Sequence, residues 1–205
     1  DKKVKIIVNT RNFGHIQSFH YAMLQARGDA VIAISADLQD PPSLITKFFK
    51  KWEEGYKVVM GIKTKSEEPF LLFMLRTLYY RAMRYLADVV IVEHYTGFGL
   101  YDQQVIQILR TIDDPYPYFR GLIAYIGFES AKVEYLQPVR KRGISKFNFM
   151  KLYDLAMLGL TSHSKAPLRL ATLLGLSTAI ISVFLGFLNL IFKLIFWESF
   201  VVGLA

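Results

Sequence analysis

Three side chains with oxygen donors, Asp37, Gln39 and Asp40, follow directly on the apolar run Ala30–Ser35. Carboxylate and amide oxygens at the end of a buried strand suit a hard divalent cation, Mg2+ or Mn2+, whose remaining ligands are water and a bound diphosphate. Such a cation neutralises charge building on a leaving diphosphate. Each residue also has a plainer use. Asp40 precedes Pro41-Pro42 and is placed to cap the following helix, the use we prefer for it, and Asp37 and Gln39 suit a turn. A second constellation, Arg140-Lys141-Arg142-Gly143-Ile144-Ser145-Lys146-Phe147, sets a glycine among cations. A tight turn at Gly143 brings Arg and Lys heads onto phosphate. The other reading is a basic run that only contacts anionic lipid headgroups.

The elements that must position these groups alternate. Lys3–Val8 reads as a strand, Ile16–Arg27 as a helix closed by Gly28, and Ala30–Ser35 as a second strand. Pro42–Glu54 reads as a helix with proline in its first turn, closed by Gly55, and Val58–Ile62 as a third strand. Val- and Ile-rich strands separated by helices indicate a parallel α/β sheet, with ligands beyond the carboxyl ends of the strands. Thr96–Leu100 and Lys132–Tyr135 fit short additional strands, with Asp102–Ile112 a helix between them. Over Pro69–Asp88, the residues Arg76, Thr77, Tyr80, Arg81, Arg84 and Asp88 share an arc of roughly 140° on a helical wheel. This describes an amphipathic helix, resting either on a bilayer surface or on the sheet.

Leu170–Phe192 carries no charge and as a helix covers roughly 34 Å, enough to cross a bilayer. The preceding stretch holds Arg140, Lys141, Arg142, Lys146, Lys151, Lys165 and Arg169 against Asp154 alone, which predicts a cytoplasmic flank. With 25 Lys+Arg against 17 Asp+Glu, the formal net charge is +8, which suits phosphate-rich partners. Because there is no cysteine, this chain forms no disulfide and no thiolate metal site. The ends read as cut: a strand at the first residues, and an apolar run at Val201–Ala205. We therefore expect a fragment lacking the first strand or strands, with a second membrane helix truncated.

Three stretches carry a resemblance to a known family: Asn12-Phe13-Gly14-His15, Ala36-Asp37-Leu38-Gln39-Asp40-Pro41-Pro42, and Trp52-x-x-Gly55-Tyr56-x-Val58-Val59-x-Gly61. With Arg120-Gly121-Leu122, Gly127-Phe128, Arg140-x-x-Gly143-x-Ser145-Lys146-Phe147 and Pro167-Leu168-Arg169 in that order, the chain resembles family 2 glycosyltransferases of the polyprenyl-phosphate type. These include dolichyl-phosphate mannose synthases and bacterial undecaprenyl-phosphate glycosyltransferases. The resemblance implies a GT-A (Rossmann-like) fold, a nucleotide-sugar donor, a polyprenyl phosphate acceptor, a divalent metal and inversion at the anomeric carbon. It implies a catalytic domain over 1–147, juxtamembrane interfacial helices over 148–168 and a membrane region over 169–205, in the cell membrane with the catalytic part cytoplasmic. Asp37 and Gln39 would hold the metal, with Asp37 the catalytic residue. Arg140, Ser145 and Lys146 would contact phosphates, and Arg120 and Arg76 the acceptor phosphate.

The chain departs from the family at Ser35, where many relatives carry an Asp, and at Thr96-Gly97-Phe98-Gly99-Leu100, where Gly97 and Gly99 replace an Asp and an Arg. Asp102 matches the acid that closes this motif and equally suits a helix N-cap. A processive polysaccharide synthase would share the sheet and the Asp motif but usually shows Gln-x-x-Arg-Trp, which precedes neither Trp52 nor Trp197. A non-catalytic membrane scaffold or lipid-binding remnant is the other alternative. No nucleic-acid motif is present, and self-association into a homo-oligomer stays open.

Overall fold

Proline in a first helical turn and glycine just past a last one punctuate this chain, and several of its helices start or stop at such residues. The computed structural model describes residues 3–65, 70–86, 92–138 and 149–196. They comprise α1 (Gly14–Gln25), β1 (Ala30–Ala33), a 3-10 turn (Pro42–Leu44), α2 (Ile45–Glu53), β2 (Val58–Lys65), α3 (Phe70–Leu86) and β3 (Tyr95–Asp102). After these come α4 (Gln103–Thr111), α5 (Phe119–Ile126), β4 (Ser130–Leu136), α6 (Phe149–His163) and α7 (Ala166–Ile195). The chain forms two compact units, Asp1–Ser164 and Lys165–Ala205.

The first unit is built on a four-stranded sheet of order β1-β3-β2-β4. It is mixed rather than parallel: β3 pairs antiparallel with both β1 and β2, while β2 and β4 are parallel. β1, β2 and β4 thus run in one direction, as βαβ crossovers require, and β3 enters between the first two in reverse. Lys3–Val8, expected as a strand, is not one. Its apolar side chains are not packed in a sheet core: Ile6 and Val8 lie exposed.

Both faces of the sheet are covered. One core joins Met23 of α1, Val105, Ile106 and Leu109 of α4, and Leu122 and Ile123 of α5 to Val58, Met60, Tyr95 and Tyr101. The other packs Leu44 and Phe48 onto Val59, Phe98, Leu100, Ala131 and Tyr135. Helix α1 ends at Gln25, before Gly28. Its last carbonyls are taken instead by Arg110 of α4, which donates to the oxygens of Leu24 (2.9 Å) and Ala26 (2.6 Å). A cation on orphan C-terminal carbonyls replaces the glycine stop. Helix α5, ended by Gly127 at φ 76°, has no counterpart in the sequence reading.

The glycines at the two departures are backbone requirements. Gly97 has φ 102°, a region costly for any residue with a Cβ. A Cβ on Gly99 would lie 2.3 Å from the Val59 carbonyl oxygen of the neighbouring strand. Neither an Asp nor an Arg fits these positions without moving β3.

In the second unit, α7 is one apolar helix of 30 residues with mean hydropathy 2.1 in its best window, long enough to span a membrane.

Candidate functional site

Strand β1 delivers the chain into a tight loop, Ser35–Asp40, at its carboxyl end. Asp37 accepts a hydrogen bond from the Gln39 amide (3.1 Å), closing an Asx-type turn. Leu38 between them has φ 60°, a left-handed conformation that costs a side-chain-bearing residue about 1–2 kcal/mol. Asp40, expected to cap the next helix, makes no such bond: the 3-10 turn has Pro41 at its N-cap position and no side-chain cap. Asp40 folds back instead, buried. Its Oδ2 accepts from the Ser35 amide (3.0 Å) and its Oδ1 from the Tyr135 hydroxyl (3.1 Å). Burial first, and then the Asp40 charge, push the Tyr135 hydroxyl far above the usual tyrosine range, so it stays protonated and donates. Ser35 serves through its backbone, so the loop closes without an acid there.

Asp102 lies at the other end of the sheet. The register sets Ala30 opposite Asp102 and Ala33 opposite Gly99, so Asp102 faces the start of β1 while Asp37 follows its end. It is an N-cap, accepting from the Gln104 amide (2.9 Å), and it also binds the Trp52 indole (2.8 Å) and the Lys57 ammonium (3.0 Å). Burial alone would raise its carboxyl, but these three donors outweigh burial and hold it below the usual range. The N-cap use is the one this geometry displays.

Arg120 is held by aromatic groups. Its guanidinium donates to the Tyr95 carbonyl (3.2 Å) and the Tyr80 hydroxyl (3.4 Å) and lies 5.1 Å from the Tyr118 ring centre. Burial disfavours the charge, but Tyr118, Tyr80, Tyr79 and Tyr95 together more than compensate. It ties α5 to α3 and to the start of β3, beside a cavity of about 150 Å3 also lined by Met60, Ile123, Phe128 and Ser130. Arg76 stands one turn before Tyr80 on α3. Arg140, Gly143, Ser145 and Lys146 lie outside the described residues; β4, which precedes them, ends at Leu136 on the sheet end that carries the Ser35–Asp40 loop.

The donor set constrains any metal. Among the described residues no group of three His, Cys, Asp or Glu side chains could hold an ion. One carboxylate and one amide in a tight loop fit a hard cation that draws most of its shell from substrate phosphate and water, as Mg2+ commonly does. Tyr135 was not identified from sequence as a site residue. Its signal there, a tyrosine at the end of a short strand, is what any half-buried strand offers.

The glycosyl transferase family 2 profile matches residues 1–116, and the chain belongs to that family. It is 36% identical over 204 residues to a Bacillus subtilis (strain 168) protein named uncharacterized glycosyltransferase YkcC, covering 99% of this chain and 63% of that one. It is 34% identical over 188 residues to the bactoprenol glucosyl transferase of Shigella phage SfV, covering 91% of this chain and 61% of that one. To the uncharacterized glycosyltransferase sll0501 of Synechocystis sp. it is 30% identical over 184 residues, covering 89% and 58%. The chain thus spans about three fifths of the length of these relatives.

Proposed function

We propose that this chain carries the catalytic part of a membrane-bound transferase that moves a sugar from a nucleotide-sugar donor to a polyprenyl phosphate, with inversion. The observation that carries this reading is the Asp37–Gln39 turn, placed beyond the carboxyl end of β1 where an α/β sheet receives its ligand. The name of the phage relative supports the choice of acceptor. In the reaction, an oxygen of the acceptor phosphate attacks the anomeric carbon. The bond from that carbon to the nucleotide diphosphate breaks, and the diphosphate leaves with the electron pair. The attacking group is already an anion at neutral pH, so no side chain has to remove a proton. Orientation and screening of like charges remain as the work of the site.

Asp37 and Gln39 would hold Mg2+ or Mn2+, which when bound supplies positive charge to the departing diphosphate. Arg140 and Lys146, with Ser145 and the Gly143 turn, are assigned to the phosphates. Arg76 is assigned to the acceptor side. Arg120, bound to Tyr80 and Tyr95, would act by holding α3 in place. We place the catalytic domain at 1–147, interfacial helices at 148–168 and the membrane region at 169–205, with the catalytic part cytoplasmic. The exposed Met74, Leu78 and Tyr85 on α3, next to the exposed Arg81, support contact of that helix with a bilayer surface.

The test is transfer from a panel of UDP- and GDP-sugars to a short polyprenyl phosphate by the full-length protein in detergent. Activity in the wild type, and its loss with retained folding in Asp37→Asn, is expected. Near wild-type turnover in Asp37→Asn would remove the metal assignment.

A further inference from the structure

The loop that carries Asp37 and Gln39 holds an unfavourable backbone conformation, with Leu38 at φ 60° and its side chain 54% exposed. With more than half of its surface exposed, Leu38 gains little from packing in return. Such strain persists only where the surroundings over-determine the segment. One part of what holds this loop is a buried carboxylate with two donors. Asp40 is 4% exposed and accepts from the Ser35 amide at the loop's entry and from Tyr135 beyond it.

Tyr135 reaches the loop from the far side of the sheet. β1 and β4 are opposite edges of the order β1-β3-β2-β4, roughly 14 Å apart at ordinary strand spacing. The Tyr135 ring lies edge-on to Phe98 of β3, 5.3 Å between centres. Phe98 in turn packs against Phe48 of α2, at 4.9 Å. Strand β4 is itself keyed to β2 near this end, where the Thr64 hydroxyl donates to the Tyr135 carbonyl (3.1 Å). The hydroxyl of Tyr135 is therefore delivered to Asp40 by a rigid stack, and the rest of the side chain has little freedom. A helix-capping role for Asp40 would need no such partner.

We propose that Tyr135 and Asp40 form a clasp that positions the Asp37–Gln39 turn for its divalent cation. The clasp rests on the metal reading given above and adds two positioning residues to it. Neither touches the cation or the reactants. Tyr135 acts through Asp40, Asp40 acts through the Ser35 amide, and the loop between is held at the length and curvature that close the Gln39 amide onto the Asp37 carboxylate. Opening the clasp lets Leu38 relax, so the competent loop is populated for only part of the time. Apparent affinity falls by that fraction.

The experiment uses the full-length protein in detergent with Tyr135→Phe, which keeps the ring and removes the hydroxyl. Its control is Trp52→Phe, which removes a comparable bond, that to Asp102, at the other end of the sheet. Two quantities are read: hydrogen exchange of the Ser35 and Gln39 amides without ligand, and Mn2+ binding by electron paramagnetic resonance in the presence of UDP or GDP. Tyr135→Phe should speed exchange of the loop amides by roughly ten- to a hundredfold. It should also weaken Mn2+–nucleotide binding by roughly three- to tenfold. Trp52→Phe should lower the melting temperature but leave both readings as in the wild type. Asp40→Asn, which retains one acceptor oxygen, should recover part of what Asp40→Leu loses. Loop exchange and Mn2+ affinity unchanged in Tyr135→Phe, with the wild type binding normally, overturn the clasp alone. A wild type that binds no Mn2+ with either nucleotide overturns the metal reading, and with it the purpose assigned to the clasp.

Discussion

Replacing Gly99 by alanine adds one methyl group, and the structure places it against a neighbour that cannot give way cheaply. The new Cβ would sit 2.3 Å from the Val59 carbonyl oxygen and 3.3 Å from its carbonyl carbon. Ordinary carbon contacts lie near 3.5 Å, so β2 and β3 must part by about 1 Å there. Both strands are held on either side: Gly99 is opposite Ala33 and Met60, and Val59 is opposite Leu100 and Ala131. Overpacking of a tight interior costs about 1–3 kcal/mol, and a clash with paired backbone belongs at the upper end. For a chain of this size, about 3 kcal/mol lowers the melting temperature by about 6–12 °C. Thermal unfolding in detergent, followed by near-ultraviolet circular dichroism, measures it. Gly175→Ala is the control, since a Cβ there meets nothing within 4 Å, and it should change little. Introducing the family's arginine, Gly99→Arg, should be worse than alanine and should restore nothing. A Gly99→Ala protein melting within about 2 °C of wild type would refute the claim that backbone proximity dictates this glycine.

His20 and His163 both have pKa values lowered, chiefly by burial and partly offset by Asp114, with the Tyr118 backbone also offsetting it at His163. The unfolded chain therefore takes up these protons first as pH falls, so stability is full above the ordinary histidine value of about 6.5 and declines below it. The melting temperature should drop as pH falls below about 6.5, and a His20→Gln, His163→Gln double variant should flatten that slope. In the basic turn, Arg140→Lys and Lys146→Ala should each slow turnover by about ten- to a hundredfold, while Lys141→Ala and Lys151→Ala change little. Equal mild losses across the four would make the turn a headgroup contact only. If α7 crosses the bilayer with its basic end inside, a cysteine replacing Lys165 should react with an impermeant maleimide only after the cytoplasmic face is opened. Labelling in intact cells would reverse the topology.

Local patterns carried much of this fold. The Val- and Ile-rich run at 58–62, the proline at 42 and the glycine at 55 have local physical consequences, and β2 and α2 lie where they indicate. The 170–192 stretch is apolar over its whole length, so it reads as a long helix whatever surrounds it. Asp37 and Gln39 could be singled out because their position after an apolar run is a property of the chain itself. Strand order is not such a property. Nothing in 95–102 announces that it inserts in reverse between β1 and β2, because direction is settled by which backbone groups remain to be paired. That insertion carries Asp102 to the end of the sheet away from Asp37 and brings Val59 against Gly99. Of the two glycines that look in sequence like lost catalytic positions, Gly99 is thereby a steric necessity, and Gly97 is required by its positive φ. The Asp40 side chain had two satisfactory partners in principle, a helix N-terminus three residues on or a hydroxyl 95 residues away. Sequence favours the near one, since proximity along the chain is all it displays. The choice went to Tyr135 because its ring packs edge-on against Phe98, itself against Phe48, in the core on one face of the sheet, contacts that exist only in the folded tertiary structure.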